Sequence, residues 1–433
     1  MTRPHWTDAA RDARLLPVAT VLRILTRDGR ILFFTRSVRL FAYGALSVVL
    51  VLYLTSLGLS AAQTGLLLTL TLAGDTVVSL WISTRADRVG RRRMLVVGAL
   101  LMAAAGLAFA GTASFVLLAV AGTVGVISPS GNEVGPFLPI EQAALTEIVP
   151  GDRRTAVFAW YTLAGSFATA AGALAGGALS QTLQRTATTP AGSYRAVVMV
   201  YAALGVLLAA CFVRVSPAVE LRPGETGAAR SGRWGLGHSW GIVGRLSALF
   251  ALDAFGGGFV VQSFAAYWFF LRFGVRPATL GGIFFGANLL AGLSALLAAR
   301  IAARIGLVRT MVFTHLPSNV LLILVPLMPD LRLAVLVLFA RFSISQMDVP
   351  TRQSYVMAVV APEERSAAAG ITGVARTTGA AIAPLFAGWM LARPGLIGAP
   401  FLVAGGLKIV YDLMLYRAFV ATQPKEESGE MMK

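Results

Sequence analysis

The sequence predicts an all-α polytopic membrane protein, with twelve transmembrane helices in two pseudo-symmetric six-helix bundles, and three observations carry that reading. Of its 433 residues, 56% are hydrophobic and 13% are charged, where soluble domains carry about 25% charge. Apolar runs of membrane-spanning length recur along the whole chain. The second half of the chain repeats the first.

The runs fall near residues 40–57, 62–83, 94–112, 114–138, 156–179, 195–213, 246–271, 278–299, 310–328, 331–358, 366–391 and 397–421. Each suits a hydrocarbon layer of about 30 Å. Residues 1–32 precede them with Arg and Asp mixed throughout. No apolar core suited to a cleavable signal is expected there. Trp6, Leu15, Leu16, Val18 and Leu22 would give that segment a face for lipid if it forms an interfacial helix; a disordered tail is the other reading. Residues 33–213 form the first expected bundle and 246–421 the second. Between them, 214–245 is rich in Gly, Arg and Pro and reads as a linker, and 422–433 is a polar tail.

Composition removes several function classes. Cys211 stands alone, and His5, His238 and His315 are scattered, so neither a cysteine cluster nor a zinc-type site is expected. The lysines are Lys408, Lys425 and Lys433, none in a Gly-Lys-Ser/Thr phosphate loop. The expectation is a protein without cofactor or metal that is not an enzyme and does not use ATP directly. The net charge of +17 belongs mostly to loops on one face of a membrane, so the bilayer is the expected partner and nucleic acid is not. A monomer is expected.

The stretch that orders the chain is Ser83-Thr84-Arg85-Ala86-Asp87-Arg88-Val89-Gly90-Arg91-Arg92-Arg93, with five arginines in nine residues between two apolar runs. The positive-inside bias places it on the cytoplasmic side, with both termini cytoplasmic and the protein in the plasma (inner) membrane. The opposite loops then keep Arg185, Arg195, Arg272, Arg276, Arg332 and Arg393 out of 37 Lys and Arg. Reporter fusions at Gly111, Arg185 and Arg276 are expected to read outside, and those at Arg92 and Gly227 inside. An inverted pattern would overturn this topology.

The halves repeat at a drifting offset. Gly65, Arg88, Gly90 and Arg93 return 216 residues later as Gly281, Arg304, Gly306 and Arg309. Arg39, Gly44 and Tyr53 return at 214 as Asp253, Gly258 and Tyr267. Pro139, Gln142 and Arg154 return at 211 as Pro350, Gln353 and Arg365. The Asp-Arg-x-Gly-Arg-Arg loop, with Ser83 where the family has Gly, resembles the loop between helices 2 and 3 of the major facilitator superfamily, and parallel six-helix repeats are that family's construction. In the second copy Ala303 replaces Asp87. Gly172-Ala173-Leu174-Ala175-Gly176-Gly177 lacks the proline of the family's antiporter pattern and reads as close helix packing. The resemblance implies rocking of two halves about a central cavity, gated by Asp87, Arg88, Gly90, Arg91 and Arg39. It implies that Asp87 holds the inner ends of the halves together at a helix N-terminus of the opposite half.

Charges at bilayer depth face a cavity or a partner. Asp75, Glu133, Asp253, Arg341, Asp348, Arg352, Arg376, Lys408 and Asp412 lie within the runs, Arg39 stands at the edge of the first, and Glu141 lies nearer a helix end. Lys408 and Asp412 are four apart and are expected to pair. Arg39 and Asp253, equivalent in helices 1 and 7, are expected to bridge the halves in one conformation. Arg341, Asp348 and Arg352, spaced by seven and four, are expected to share one stripe of helix 10. Gly131, Gly135 and Pro136 weaken helix 4 beside Asn132 and Glu133. The substrate candidates are Arg341, Arg352, Arg376 and Asn132, and the ion-coupling candidates are Glu133, Asp75, Asp253 and Asp348. The expected function is secondary active transport of a small organic solute, proton-coupled, with an organic anion favoured by the arginines. The alternative is a multidrug/proton antiporter exporting lipophilic compounds.

Overall fold

In a hydrocarbon layer the backbone N–H and C=O groups find no water, so an apolar chain satisfies them within helices. The computed structural model describes residues 24–150, 153–220, 239–361 and 364–420. Among these the regular elements are all helices, without a strand. The expectations for Trp6 to Leu22, for most of the linker and for the tail lie outside the described residues.

The helices are α1 (Arg27–Ser56), α2 (Ala61–Val89), α3 (Arg91–Gly111), α4 (Phe115–Val124), α5 (Phe137–Ile148), α6 (Arg154–Arg185) and α7 (Pro190–Val213). After the linker come α8 (Trp240–Gly258), α9 (Gln262–Phe273), α10 (Pro277–Ile305), α11 (Leu307–Leu324), α12 (Leu331–Phe342), α13 (Asp348–Val359), α14 (Arg365–Leu391) and α15 (Ala399–Phe419). Nine segments of the described residues, with α8 and α9 counted as one, are long and apolar enough to cross a membrane. Of the other expected spans, 114–138 holds α4 and the non-helical stretch leading into α5, 331–358 holds α12 with α13, and 366–391 holds α14.

Local sequence explains the breaks. Gly131 and Gly135 adopt φ of 70° and 81°, a region open to glycine at no steric cost, and residues 125–136 leave the helix there. This is where Gly131, Gly135 and Pro136 predicted a weak helix 4. The turn between α2 and α3 passes through Gly90 at φ 114°, and the turn between α10 and α11 through Gly306 at φ 85°. The sequence repeat is therefore a repeat of structure. Displacing α5, Phe137–Ile148, by the same 211 residues gives α13, Asp348–Val359.

The core sits around α1, whose Tyr43, Leu46, Val49, Leu50 and Tyr53 are fully buried. Apolar side chains such as Val77, Trp81, Val116 and Val120 are exposed, as a lipid-facing surface requires. A Cβ at Gly172 or Gly176 of α6 would lie 2.0 Å from the Phe41 carbonyl or 2.6 Å from that of Ala45 on α1. The glycines thus let two helix backbones touch, as expected for that stretch.

The N-terminal set, α1–α7, meets the C-terminal set, α8–α15, along two seams. On one, Gly65 of α2 faces Gly388 of α14; a Cβ at Gly65 would lie 2.4 Å from the Pro384 carbonyl. On the other, Gly177 of α6 faces Gly281 of α10; a Cβ there would lie 2.3 Å from the Pro277 carbonyl. Both contacts are at the end remote from the arginine-rich turn. Polar bonds reinforce them: the Gln181 side-chain carbonyl accepts from the Ala278 N–H at 3.0 Å, and Gln262 donates to Ser47 Oγ at 2.7 Å. The Pro129 carbonyl, freed by the break in helix 4, accepts from Ser263 Oγ at 2.5 Å. Toward the arginine-rich end, no described residue approaches within 4 Å of a Cβ placed at Gly370 or Gly373 of α14.

Candidate functional site

Two charge clusters are buried, one in each set. In the first, the Arg39 guanidinium, fully buried on α1, donates to both oxygens of Glu141 on α5 at 2.7 Å and through Nε to Glu133 at 2.8 Å. This is the forked geometry that guanidinium and carboxylate favour. Arg36, one turn earlier, ion-pairs with Glu133 at 2.9 Å, and Tyr161 Oη donates to Glu141 at 2.5 Å. The Phe137 ring lies under Arg39, its centroid 4.4 Å away. The cluster holds two guanidiniums and two carboxylates and is neutral.

In the second cluster Asp253 on α8 accepts from Lys408 Nζ on α15 at 2.5 Å and from Arg352 on α13 at 3.2 Å. Asp348, one turn before Arg352, pairs with it at 3.1 Å. His315 on α11 holds Asp412 through Nδ1 at 2.8 Å, and its Nε2 stands 3.7 Å from Asp253. Asn319 donates to the second Asp412 oxygen at 2.8 Å.

The clusters are related by the repeat with their charges exchanged. The offset of 214 carries Arg39 to Asp253, and the offset of 211 carries Glu141 to Arg352. The first set pairs a cation on α1 with an anion on α5. The second pairs an anion on α8 with a cation on α13.

In this conformation Arg39 and Asp253 do not bridge the sets; each has a buried partner on the broken helix of its own set. Two expectations need correction. Lys408 and Asp412 share a face of α15, but Asp253 takes Lys408 while His315 and Asn319 take Asp412. The stripe of Arg341, Asp348 and Arg352 is interrupted, since residues 343–347 leave the helix between α12 and α13. Sequence reading also left Arg36, Tyr161, His315 and Asn319 off the candidate list and did not use Glu141.

The other candidates separate by their surroundings. Asp75 accepts from the Gly135 N–H at 2.7 Å and from Ser79 at 3.2 Å, so it fastens the broken stretch of helix 4 to α2. Asn132 is exposed, and its carbonyl accepts from Ser128. Arg341 and Arg376 are half-buried and have no carboxylate in ion-pair distance among the described residues; each keeps a buried Nε without an acceptor. Arg376 lies within electrostatic reach of Arg352, Asp253 and Asp348, and Arg341 within reach of both aspartates.

At the arginine-rich turn, Asp87 is exposed and accepts from Arg91 Nε at 2.8 Å, while Arg88 is exposed. Arg91 is buried and also donates to the Val219 carbonyl at 3.0 Å. The carboxylate at a helix N-terminus here is Glu220, which accepts from the Arg91 N–H at 2.6 Å and the Arg92 N–H at 3.1 Å. That placement suits the positive end of α3. In this conformation Asp87 therefore bonds within its own set.

A family model described as Major Facilitator Superfamily matches residues 32–346. The chain belongs to the major facilitator superfamily. Uncharacterized membrane protein YJR124C of Saccharomyces cerevisiae is 29% identical over 430 residues, covering 92% of this chain and 96% of its own length. Among solved structures, nucleoside transporter NupG superposes with a TM-score of 0.70 at 13% identity, covering 91% of this chain and 99% of NupG. A bacterial homolog of the human lysosomal transporter Spinster, inward-facing and unoccupied, gives 0.67 at 15%, covering 90% and 94%. The human organic anion transporter MFSD10 gives 0.61 at 17%, covering 92% and 100%. The protein is thus an integral membrane transporter of this superfamily, and its structural neighbours are transporters rather than enzymes.

Proposed function

We propose that this superfamily member is a proton-coupled secondary transporter of a small organic anion, which opens its central cavity alternately to the two sides as its two six-helix halves rock. The observation that carries the anion is the pair Arg341 and Arg376. Guanidinium groups stay protonated at any working pH, so burial cannot be relieved by neutralisation. The second set holds Arg341, Arg352, Arg376 and Lys408 against Asp253, Asp348 and Asp412, one cation in excess. Asp75, the remaining acid of the candidate list, is engaged by Gly135 and Ser79. A carboxylate or phosphate bound in two-point geometry answers that excess. Asn132, exposed and next to Glu133 in sequence, would add a polar contact.

The arginine-rich turn is read as the cytoplasmic gate of a monomer in the inner membrane. Asp87 would exchange its bond with Arg91 for a partner in the opposite set when the cavity closes on that side.

Uptake of succinate and of inorganic phosphate into proteoliposomes, with and without an imposed pH gradient, tests the reading. Arg341→Lys and Arg376→Lys keep the charge and remove the fork. Each is expected to lower anion uptake by about tenfold or more, the loss of one charge-assisted bond. Full activity in both variants, with a lipophilic neutral or cationic compound transported instead, would hand the function to multidrug export.

A further inference from the structure

We infer that His315 carries the coupled proton, accepting it at Nε2 and holding it between Asp412 and Asp253. This rests on the proton-coupled reading above and assigns the coupling to a residue outside the acidic candidates of the sequence.

The tautomer is assigned from the partners of the ring. An ionised carboxylate only accepts hydrogen bonds. Nδ1 lies 2.8 Å from Asp412 Oδ1 and 3.1 Å from Asn319 Nδ2. The nearer, charged partner can only accept, and the Asn319 amide already donates to Asp412 Oδ2 at 2.8 Å, so we assign the hydrogen to Nδ1, which donates it to Asp412. In the neutral ring Nε2 then presents a lone pair, and it faces Asp253 Oδ1 at 3.7 Å. Two electron-rich atoms confront each other in a buried site, where His315 is 5% and Asp253 4% exposed. Asp253 is ion-paired with Lys408 and Arg352. The vacancy for a proton is therefore on Nε2.

Charge counting agrees. The bonded network comprises Asp253, Asp348 and Asp412 with Arg352 and Lys408, a net −1 while His315 is neutral and zero once it is imidazolium. The elements packed around α11 supply these groups: α15 brings Lys408, Asp412 and Tyr411, α13 brings Asp348, Arg352 and Tyr355, and α8 brings Asp253. Arg341 on α12 and Arg376 on α14 stand outside the bonded network, and the ionisable residues of α10, Arg300 and Arg304, lie in its last two turns.

The chemical step is a proton transfer without other bonds changing. Water in the cavity delivers a proton to the Nε2 lone pair, and the imidazolium later returns it to water on the other side. The consequence for transport is a coupling of sign. With His315 neutral, the network's negative charge opposes an anion at Arg341 and Arg376. With His315 protonated, that opposition is gone. Proton and anion then favour each other's binding, and linkage makes the effect reciprocal. The two would travel together, as a symport.

The test uses full-length protein in lipid, with His5→Gln and His238→Gln, so that imidazole nitrogen labelling reports His315 alone. Its nitrogen resonances are followed from about pH 5 to about pH 9, the range in which histidine titrates. The expected result is a neutral ring with hydrogen on Nδ1 at high pH and imidazolium at low pH. Asp412→Asn should abolish the Nδ1 preference. Adding succinate or phosphate, whichever the protein transports, should raise the midpoint by about one pH unit, a tenfold coupling. In transport, His315→Gln should lose the stimulation of uptake by a pH gradient. A ring that stays in one protonation state throughout, or gradient stimulation that survives in His315→Gln, overturns the inference. Absence of anion uptake by the parent protein would sink the anion reading separately, since the titration needs no substrate.

Discussion

Arg39→Ala is expected to be the most damaging single charge substitution in the protein. Arg39 has no exposed surface and pairs with both Glu141 and Glu133. Its removal leaves Glu141 buried with Tyr161 as a neutral donor, and Glu133 with Arg36 alone. Breaking a buried pair by removing one partner costs about 3–5 kcal/mol, because the other charge remains in low dielectric. Solubilised Arg39→Ala should therefore elute largely aggregated and melt well below the parent protein. Glu141→Gln should be milder, since Arg39 keeps Glu133. The double variant Arg39→Ala with Glu141→Ala should lose less than the sum of the single changes, as contacting residues do. Strict additivity would mean that the pair seen here contributes nothing as a pair.

A second large effect is expected at the seams. Both glycine contacts lie at one end of the molecule, and each brings backbone against backbone. A Cβ at Gly65 would lie 2.9 Å from the Gly388 Cα, and one at Gly177 2.9 Å from the Gly281 Cα. Backbone cannot yield as a side-chain tip can, so Gly65→Trp with Gly177→Trp must separate the sets there. Packed interfaces resist continuous deformation and switch instead. The wedge should populate the opposite conformation. In a Cys211→Ser background, a cysteine at position 262 should then react with a membrane-impermeant maleimide from the remote side about tenfold faster or more, equivalent to a shift of about 1.4 kcal/mol in the equilibrium. Unchanged labelling would show that these contacts do not set the closed state.

The path from sequence to site explains what was legible. Spans were readable because hydropathy acts over some twenty residues, and the break in helix 4 because Gly131, Gly135 and Pro136 are local signals. The break in helix 10 was not, since residues 343–347 hold neither Gly nor Pro. Partners were the harder problem. Arg39 and Asp253 were readable as equivalents, yet equivalence under a two-fold relation does not imply contact. The decisive signal lay in the offset of 211, which joins Pro139 to Pro350 and equally joins Glu141 to Arg352. A reversed charge at both ends of one repeated contact is the mark of a pair kept within each half. His315 gave no such sign, because it becomes informative only when α8 and α15 close around it.

The exchange of charges between the two clusters bears on how the transporter responds to voltage. A single elementary charge crossing the full potential exchanges about 2.3 kcal/mol per 100 mV. A neutral pair that moves as a unit does no such work. Arg39 with Glu141 and Asp253 with Arg352 are pairs of this kind, and the repeat turns their dipoles against each other, so their contributions in the field oppose. What remains to sense the potential is the charge of Arg341 and Arg376 less the single negative charge of the bonded network, one positive charge while His315 is neutral. The empty carrier would thus reorient as a cation, and one carrying a dianion together with the proton on His315 as a more nearly neutral body. Membrane potential would then act on the return of the empty protein more than on the loaded step.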